Sequence, residues 1–410
     1  MQNYGLIGET LKHSFSPQIH KLFGNYSYEL CETDESYLEN LINDDKYSGF
    51  NVTIPYKKTV MKYLDEISPD ALKIGSVNTI VKRNNKLIGY NTDYYGFRYL
   101  LDTNGINPKG LKAIILGSGG ASTTVKAVLE NLGAKVIIIS RKGKNNYNNL
   151  QIHSDTELIV NTTPVGMFPN CDECPIDFDM FPQCKYAVDL IYNPLRTKFV
   201  IEADKHNIKS VGGIAMLVAQ AKRASELFTG KAISKNKEKN VIQKILRRKS
   251  NIVLIGMPGC GKTLVGKLLA RRINRPFYDT DKIIEEKYNI IIKKFIQEKG
   301  ESEFRKIETA VIKDIGKLNH AVISTGGGAV TTAENYFYLK QNGLIIWLKR
   351  DLKKLSTKER PLSKALGVEE IYKRRKDLYR AWCDFSVENL SLKNTLKYLE
   401  DRINHENTHY

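Results

Sequence analysis

Short apolar runs that end in glycine, each followed by an amphipathic stretch, recur along this chain. Tyr4-Gly5-Leu6-Ile7-Gly8 reads as a strand, followed by a loop from Leu11 to Pro17 and a helix predicted from near Gln18. From Gly49 an apolar–polar alternation runs into Pro55, which stops the strand and delivers Lys57 to its end. Lys112–Leu116 predicts a buried strand, Gly117-Ser118-Gly119-Gly120-Ala121 a turn, Ser122–Leu132 a helix and Val136–Ile139 a second strand. The pattern returns at Ile252–Ile255, which leads through Gly256-Met257-Pro258-Gly259-Cys260-Gly261-Lys262-Thr263 into a helix predicted from Leu264 to Arg272. Pro276–Asp281 predicts a strand ending in Asp279 and Asp281, two positions apart and so on one face. Val322–Ser324 predicts another, running into Gly326-Gly327-Gly328. Such alternation of strands and helices points to an α/β protein with parallel sheets.

At 410 residues the chain exceeds what one hydrophobic core serves, so more than one domain is expected. Its 41% hydrophobic and 26% charged residues are those of a folded, soluble protein. A net charge of +18 raises nucleic acid as a partner. The lysines are spread out, however, with no recognition helix, zinc finger or aromatic–basic interleaving, so the expectation is anionic small molecules and no nucleic acid. Six cysteines do not make a disulfide framework, and Cys171-x-x-Cys174 lacks the further ligands of a zinc site. The N-terminus has neither the basic start nor the apolar core of a signal peptide, and no apolar run reaches membrane-spanning length. A cytoplasmic protein with no membrane partner is expected. Between Lys231 and Ser250, lysines and arginines face a single acid, Glu238, while Val241, Ile242, Ile245 and Leu246 fall at helical spacing. This basic helix (231–250) is expected to connect a domain of about 1–230 to one of 251–410.

The glycine turns carry the first chemistry. Gly256 to Thr263 fits G-x-x-x-x-G-K-[ST], where successive backbone N–H groups curl round a polyphosphate and the following helix adds its dipole. Gly259, Cys260, Gly261, Lys262, Thr263 and Leu264 are expected to cradle ATP, with Lys262 on the β- and γ-phosphates and the Thr263 hydroxyl on Mg²⁺. Of the two aspartates, Asp279 suits the metal through water and Asp281 an acceptor hydroxyl. With a phosphate loop at its first turn, the C-terminal region is predicted to be a three-layer α/β/α P-loop kinase. The turn at Gly117–Ala121 lies in a βαβ unit of dinucleotide-binding type. Its second strand ends in Ser140-Arg141-Lys142, and basic residues there accommodate a 2′-phosphate, which favours NADP over NAD. Arg305 and Glu308 share a helical face, either to clamp a carboxylate or as a surface ion pair.

Over about residues 1–230 the chain resembles shikimate dehydrogenase. The residues that carry this are Ser14-x-Ser16, Asn51-Val52-Thr53-x-Pro55-x-Lys57, Val77-Asn78-Thr79, Asn91-Thr92-Asp93 and Gly117-x-Gly119-Gly120-Ala121. They continue through Asn161-Thr162-Thr163-Pro164-x-Gly166-Met167, Asp189-Leu190-Ile191-Tyr192-Asn193-Pro194 and Gly213-x-x-Met216-Leu217-x-x-Gln220. The resemblance implies an α/β substrate subdomain (about 1–103) and a Rossmann-like NADP-binding subdomain (about 104–230). It implies that Ser14, Ser16, Thr53, Asn78, Asp93, Tyr192 and Gln220 hold the substrate's carboxylate and hydroxyls, and that Lys57 and Asp93 form the catalytic pair. Gly117, Ser118, Gly119, Gly120, Ala121, Arg141, Lys142, Leu190 and Gly213 would line the NADP(H) site. Reducing a ketone leaves negative charge on oxygen, and a lysine oriented by a carboxylate can meet that charge. The sequence departs from the family at Ser76, where alanine is usual, and at Ser140, where asparagine often opens the NADP turn.

The segment from 251 on resembles shikimate kinase, through Asp279-Thr280-Asp281, Phe304-Arg305-x-x-Glu308, the triple glycine, Arg360-Pro361-Leu362 and Arg375. That likeness implies that Asp281, Arg305, Gly327, Gly328 and Arg375 bind shikimate, that Asp281 orients its 3-hydroxyl, and that Arg360 closes on the transferring phosphoryl group. Leu348–Glu359 is shorter than the family's usual approach to this lid and lacks an arginine often found there. Together the two likenesses name adjacent reactions: reduction of 3-dehydroshikimate with NADPH, then phosphorylation of shikimate with ATP. Rival readings are a dehydrogenase that prefers quinate and NAD, and a ligand-sensing regulator built from degenerate enzyme domains. Lys57, Asp93, Lys262, Asp279 and Asp281 argue against the regulator.

Overall fold

The structure, a computed structural model, describes residues 2–11, 14–355 and 367–405. The chain divides into two compact units, and the division falls within one helix, between Ile245 and Leu246, with Pro194–Arg196 grouped with the second unit.

The first unit holds two sheets. Strands β1 (Asn3–Gly8), β2 (Ser27–Glu32), β3 (Gly49–Val52), β4 (Glu66–Ile67), β5 (Thr79–Arg83) and β6 (Lys86–Tyr90) form a mixed sheet in the order β2-β1-β3-β5-β6-β4. β1 runs parallel to β2 and β3, while β5 and β6 make an antiparallel hairpin. Asn84 and Asn85 close that hairpin with φ of 50° and 57°, a left-handed pair that asparagine tolerates and most side chains do not. The second sheet is parallel throughout: β7 (Lys112–Leu116), β8 (Lys135–Ile139), β9 (Leu158–Asn161), β10 (Tyr186–Asp189) and β11 (Lys209–Val211), in the order β11-β10-β9-β7-β8. The chain leaves β7 for β8 on one side and returns to β9 on the other. Their carboxyl ends therefore flank the switch point where open parallel sheets bind ligands.

Among the described residues eight helices accompany these sheets: α1 (Ser16–Phe23), α2 (Leu38–Asn43), α3 (Pro69–Ile74), α4 (Thr92–Thr103), α5 (Gly120–Asn131), α6 (Lys198–Lys205), α7 (Ile214–Thr229) and α8 (Lys235–Lys249), the last running into the second unit. The helices at Ser16 and Gly120 start two residues earlier than the apolar pattern suggests. For α5 the reason is the glycine turn, which enters helical geometry with no capping side chain. Ser14 and Ser16 do not cap α1 either; the cap position is Phe15, and Ser14 Oγ accepts from Ser16 N–H at 3.2 Å. α7 lies within the stretch 104–230 yet packs back on the first sheet. Its Phe228 ring stacks on Tyr4 at 4.2 Å and its Phe228 carbonyl accepts from the Tyr4 hydroxyl at 2.9 Å.

The basic segment is ordered as α8, and its lone acid explains how. Glu238 is fully buried, 3.5 Å from the Lys222 ammonium of α7, which also lies 3.5 Å from Glu226 and donates to the Tyr95 hydroxyl at 3.0 Å.

The second unit is one parallel sheet, β12 (Asn251–Ile255), β13 (Phe277–Asp279), β14 (Val322–Ser324), β15 (Gly343–Lys349) and β16 (Phe385–Glu388), in the order β13-β14-β12-β15-β16. β12 is buried along its whole length, as a strand covered on both faces must be. Helices α9 (Lys262–Arg272), α10 (Thr280–Tyr288), α11 (Ile292–Lys299), α12 (Glu301–Gly316) and α13 (Glu334–Lys340) follow, with two more at Val368–Trp382 and Leu392–His405. Among the described residues no helix is long and apolar enough to cross a membrane.

Removing one partner of a buried ion pair leaves the other charge without compensation. Lys222→Met is therefore expected to destabilise the first unit by roughly 3 kcal/mol in urea unfolding, with most of the loss restored in Lys222→Met/Glu238→Met.

Candidate active sites

In the first unit, backbone bonds fix the loop that follows β3. Thr53 N–H donates to the Ile7 carbonyl at 2.9 Å, Tyr56 N–H to that of Thr53 at 3.0 Å, and the Lys57 carbonyl accepts from Val77 N–H at 2.8 Å. Asp93 stands in the first turn of α4, whose cap is Asn91, accepting from Tyr94 N–H at 3.2 Å. Lys57 Nζ donates to Asp93 Oδ2 at 2.6 Å, with the two side chains 15% and 11% exposed. Asn78 is buried beside them: its Oδ1 accepts from Thr92 N–H at 2.7 Å, and its carbonyl accepts from Asn51 Nδ2 at 3.3 Å. Thr92 Oγ1 reaches Gln220 Oε1 at 3.4 Å. Across the crevice, Phe15, between Ser14 and Ser16, meets the ring of Tyr192 at 5.2 Å. Asn78, Thr92 and Gln220, far apart in the sequence, are thus linked to one another next to Asp93 of the lysine–carboxylate pair.

The glycine turn closes one side of this crevice. Gly117 has φ +105°, and a Cβ there would meet Thr162 Oγ1 at 2.9 Å. Gly119 caps α5 with no side chain, and a Cβ on it would meet open space, so the first N–H groups of α5 are available to an anion. A Cβ on Gly120 would lie 3.9 Å from Lys57 Cβ and Cδ, which sets the helix N-terminus directly against the lysine. Ser118 is exposed and Ala121 half-buried on the same turn, and Arg141 and Lys142 are exposed just past β8. Gly213 is obligatory for a different reason: a Cβ would overlap the Leu190 carbonyl. The uncapped N-terminus, the close glycines and the exposed basic pair fit a dinucleotide with a 2′-phosphate.

The second unit repeats the device. Gly259 and Gly261 have φ of +86° and +100°, and α9 starts at Lys262 with no capping side chain, not at Leu264, which is exposed two residues on. Lys262 Nζ donates to the carbonyls of Gly256 at 2.8 Å and Met257 at 3.0 Å, so the loop closes round its own lysine. Cys260 is fully buried, and its carbonyl accepts from Asn389 Nδ2 at 2.8 Å, a buttress from beyond β16 that no motif announces. Thr263 Oγ1 donates to Asp279 Oδ2 at 2.7 Å, an oxygen pair suited to a hard divalent cation.

The two aspartates do not share a strand face. β13 stops at Asp279, whose Oδ1 accepts from the N–H groups of Asp281 at 3.1 Å and Lys282 at 3.4 Å, and Asp281 stands in the first turn of α10. An aspartate at a strand end caps the next helix more favourably than it extends the strand. Nor is Arg305 free or at the surface. It donates to Glu308 Oε2 and Glu301 Oε1, each at 2.6 Å, and Glu308 is fully buried. A Cβ on Gly326 would lie 2.6 Å from Glu308 Oε1 and 2.8 Å from Asp281 Oδ1, and one on Gly328 would overlap the Arg305 guanidinium. Arg375 and Tyr379 both donate to the Gly327 carbonyl, at 3.1 and 2.5 Å. Asp281, Arg305, Gly327, Gly328 and Arg375 therefore converge, together with Glu308 and Tyr379, to which sequence reasoning gave no binding role. Burial, with Glu308 and Asp279 nearby, pushes the Asp281 carboxyl up to about 6. Arg360 lies outside the described residues.

Fold and crevices define a two-part nucleotide-dependent enzyme, an oxidoreductase followed by a P-loop kinase. Residues 6–80 match the family model of the shikimate dehydrogenase substrate binding domain, and residues 258–401 that of shikimate kinase. The chain is 44% identical over 250 residues to the shikimate dehydrogenase (NADP(+)) of Clostridium beijerinckii, covering 56% of this chain and 92% of that protein. It is 40% identical over 256 residues to that of Methanococcus maripaludis, covering 55% and 91%. Among solved structures it is similar to a chorismate mutase/shikimate 5-dehydrogenase fusion protein from Clostridium acetobutylicum, with TM-score 0.58 and 35% identity over 60% of this chain and 97% of that one. It is also similar to shikimate 5-dehydrogenase from Thermus thermophilus in complex with NADP(H) and shikimate, with TM-score 0.55 and 30% identity over 60% and 99%. The chain belongs to the shikimate dehydrogenase family, and a shikimate kinase domain follows in the same polypeptide.

At the carboxyl end of β10, Asp189 is fully buried and accepts from Asn161 Nδ2 at 3.1 Å, Ile191 N–H at 3.0 Å and Thr197 Oγ1 at 2.5 Å. Desolvation nevertheless raises its carboxyl to about 7. A carboxyl with a raised folded value favours the folded state most below its unfolded value, near 3.8, and loses that contribution as pH rises through 7. The first unit is expected to lose stability between about pH 4 and pH 7, by on the order of 4 kcal/mol, and Asp189→Asn to flatten that profile in urea melts.

Proposed function

We propose that this chain catalyses two consecutive reactions: NADPH-dependent reduction of 3-dehydroshikimate to shikimate, and Mg²⁺- and ATP-dependent phosphorylation of shikimate at its 3-hydroxyl. The observation that carries the proposal is the Lys57–Asp93 pair, 2.6 Å apart and set against the uncapped start of α5, in a chain whose second unit offers a carboxylate-binding cluster beside a phosphate loop.

The bound dinucleotide would supply hydride and the bound nucleotide with its cation the phosphoryl group; the remaining work belongs to side chains. In the first crevice Ser14, Ser16, Thr53, Asn78, Tyr192 and Gln220 hold the ring's carboxylate and hydroxyls. They turn its carbonyl towards Lys57, whose ammonium gives a proton to the developing alkoxide while Asp93 orients it. In the second crevice Arg305 and Arg375 take the carboxylate of shikimate, with Glu308 holding Arg305 in place, and the backbone of Gly327 and Gly328 lines the ring. Asp281, raised towards neutrality, accepts the hydrogen bond of the attacking hydroxyl. Lys262 faces the phosphates, Thr263 and Asp279 hold the cation, and Arg360 serves the transferring group.

Incubation with 3-dehydroshikimate, NADPH and ATP should yield the phosphorylated product by mass spectrometry. Lys57→Ala is expected to lower the reduction by a factor of roughly 10³ and leave phosphorylation intact, and Lys262→Ala to do the reverse. Preference for quinate or NAD, or loss of both activities in one variant, would contradict the proposal.

A further inference from the structure

The basic segment forms one wall of a cavity. A groove of about 830 Å³, open to solvent, lies among α3, α4, α7 and α8. Tyr90, Tyr95 and Tyr99 line it, all half-buried, with the rings of Tyr95 and Tyr99 stacked at 6.3 Å between centroids. Exposed Arg98, Arg223, Lys235 and Lys239 line it as well, four cations against the two carboxylates of Asp70 and Asp102. Arg98 has a carboxylate, Asp102, at 3.8 Å, whereas Lys235 and Lys239 have no ion-pair partner among the described residues.

Those two lysines are four positions apart, one above the other on α8, where like charges repel. The buried Glu238–Lys222 pair holds the helix in this place, so the ammonium groups cannot separate by moving the backbone. An anion between them would relieve the repulsion, and the adjacent tyrosines offer ring faces to a flat molecule. Neither Lys57 nor Asp93 lines the groove. Asn91 and Thr92, which do, immediately precede Asp93 along the chain. We propose that this groove is a second ligand site, for a planar aromatic ring that carries an anionic group, carboxylate or phosphate.

Calorimetric titration of the full chain would use benzoate and phenyl phosphate as probes, with cyclohexanecarboxylate and inorganic phosphate as controls for the ring. At least one aromatic probe is expected to bind several-fold more tightly than either control, and the better of the two identifies the anionic group. Lys235→Glu/Lys239→Glu should weaken it roughly tenfold, whereas Lys57→Met, in the crevice, should leave it unchanged. Absence of binding, equal binding of the controls, insensitivity to the lysine pair or sensitivity to Lys57→Met would each overturn the proposal. Because none of these readouts uses turnover, failure here is separate from failure of the proposed reactions.

Discussion

Each half of this protein depends on helix-start backbone N–H groups that no side chain among the described residues claims. A parallel strand must hand the chain to a helix on the sheet's face, and the first turn of that helix has donors with no intrahelical acceptor. Some helices satisfy those donors with a side chain, as Asp279 does for α10 and Thr197 for α6. At α5 and α9 the cap position is glycine and no side chain intervenes. That omission makes two concave, electropositive turns in a chain already rich in cations, and the remaining polar groups of each crevice are arranged around them.

The two crevices handle charge differently. Lys57 and Asp93 neutralise one another directly, next to the amide and hydroxyl of Asn78 and Thr92. In the second unit the carboxylates crowd together: Glu308 and Asp279 add to burial in raising the Asp281 carboxyl, and Arg305 balances part of that charge. An anionic ligand that met Arg305 and Arg375 would enter a cluster whose cations are already partly engaged, which favours a ligand able to bridge them over one that needs a whole arginine to itself.

The parallel-sheet architecture was legible because buried parallel strands are continuous apolar runs, and because glycine is needed where backbone meets phosphate; Lys112–Leu116 and Ile252–Ile255 carry both signals. What could not be read was whatever depends on competition between local choices. Asp279 and Asp281 satisfy the strand periodicity equally well, and only the capping energy of the next helix separates them. Arg305 and Glu308 announce an ion pair, but their spacing carries no information on burial. Asn389 supports the phosphate loop from 129 positions away and carries no local signature. The return of α7 to the first sheet is likewise a matter of tertiary packing, expressed through Phe228 and Tyr4.

A connector dense in lysine invites the view that it is a featureless tether. Its lone glutamate says otherwise, for the first fifteen or so residues after α7 supply the counter-charge to an ammonium in the reductase's interior. Anyone separating the two activities for independent study would therefore do damage by cutting where the reductase motifs run out, at about 230. The helix itself is shared, with its residues up to Ile245 grouped with the first unit and those from Leu246 with the second, so the reductase half would have to carry the first part of the connector away with it.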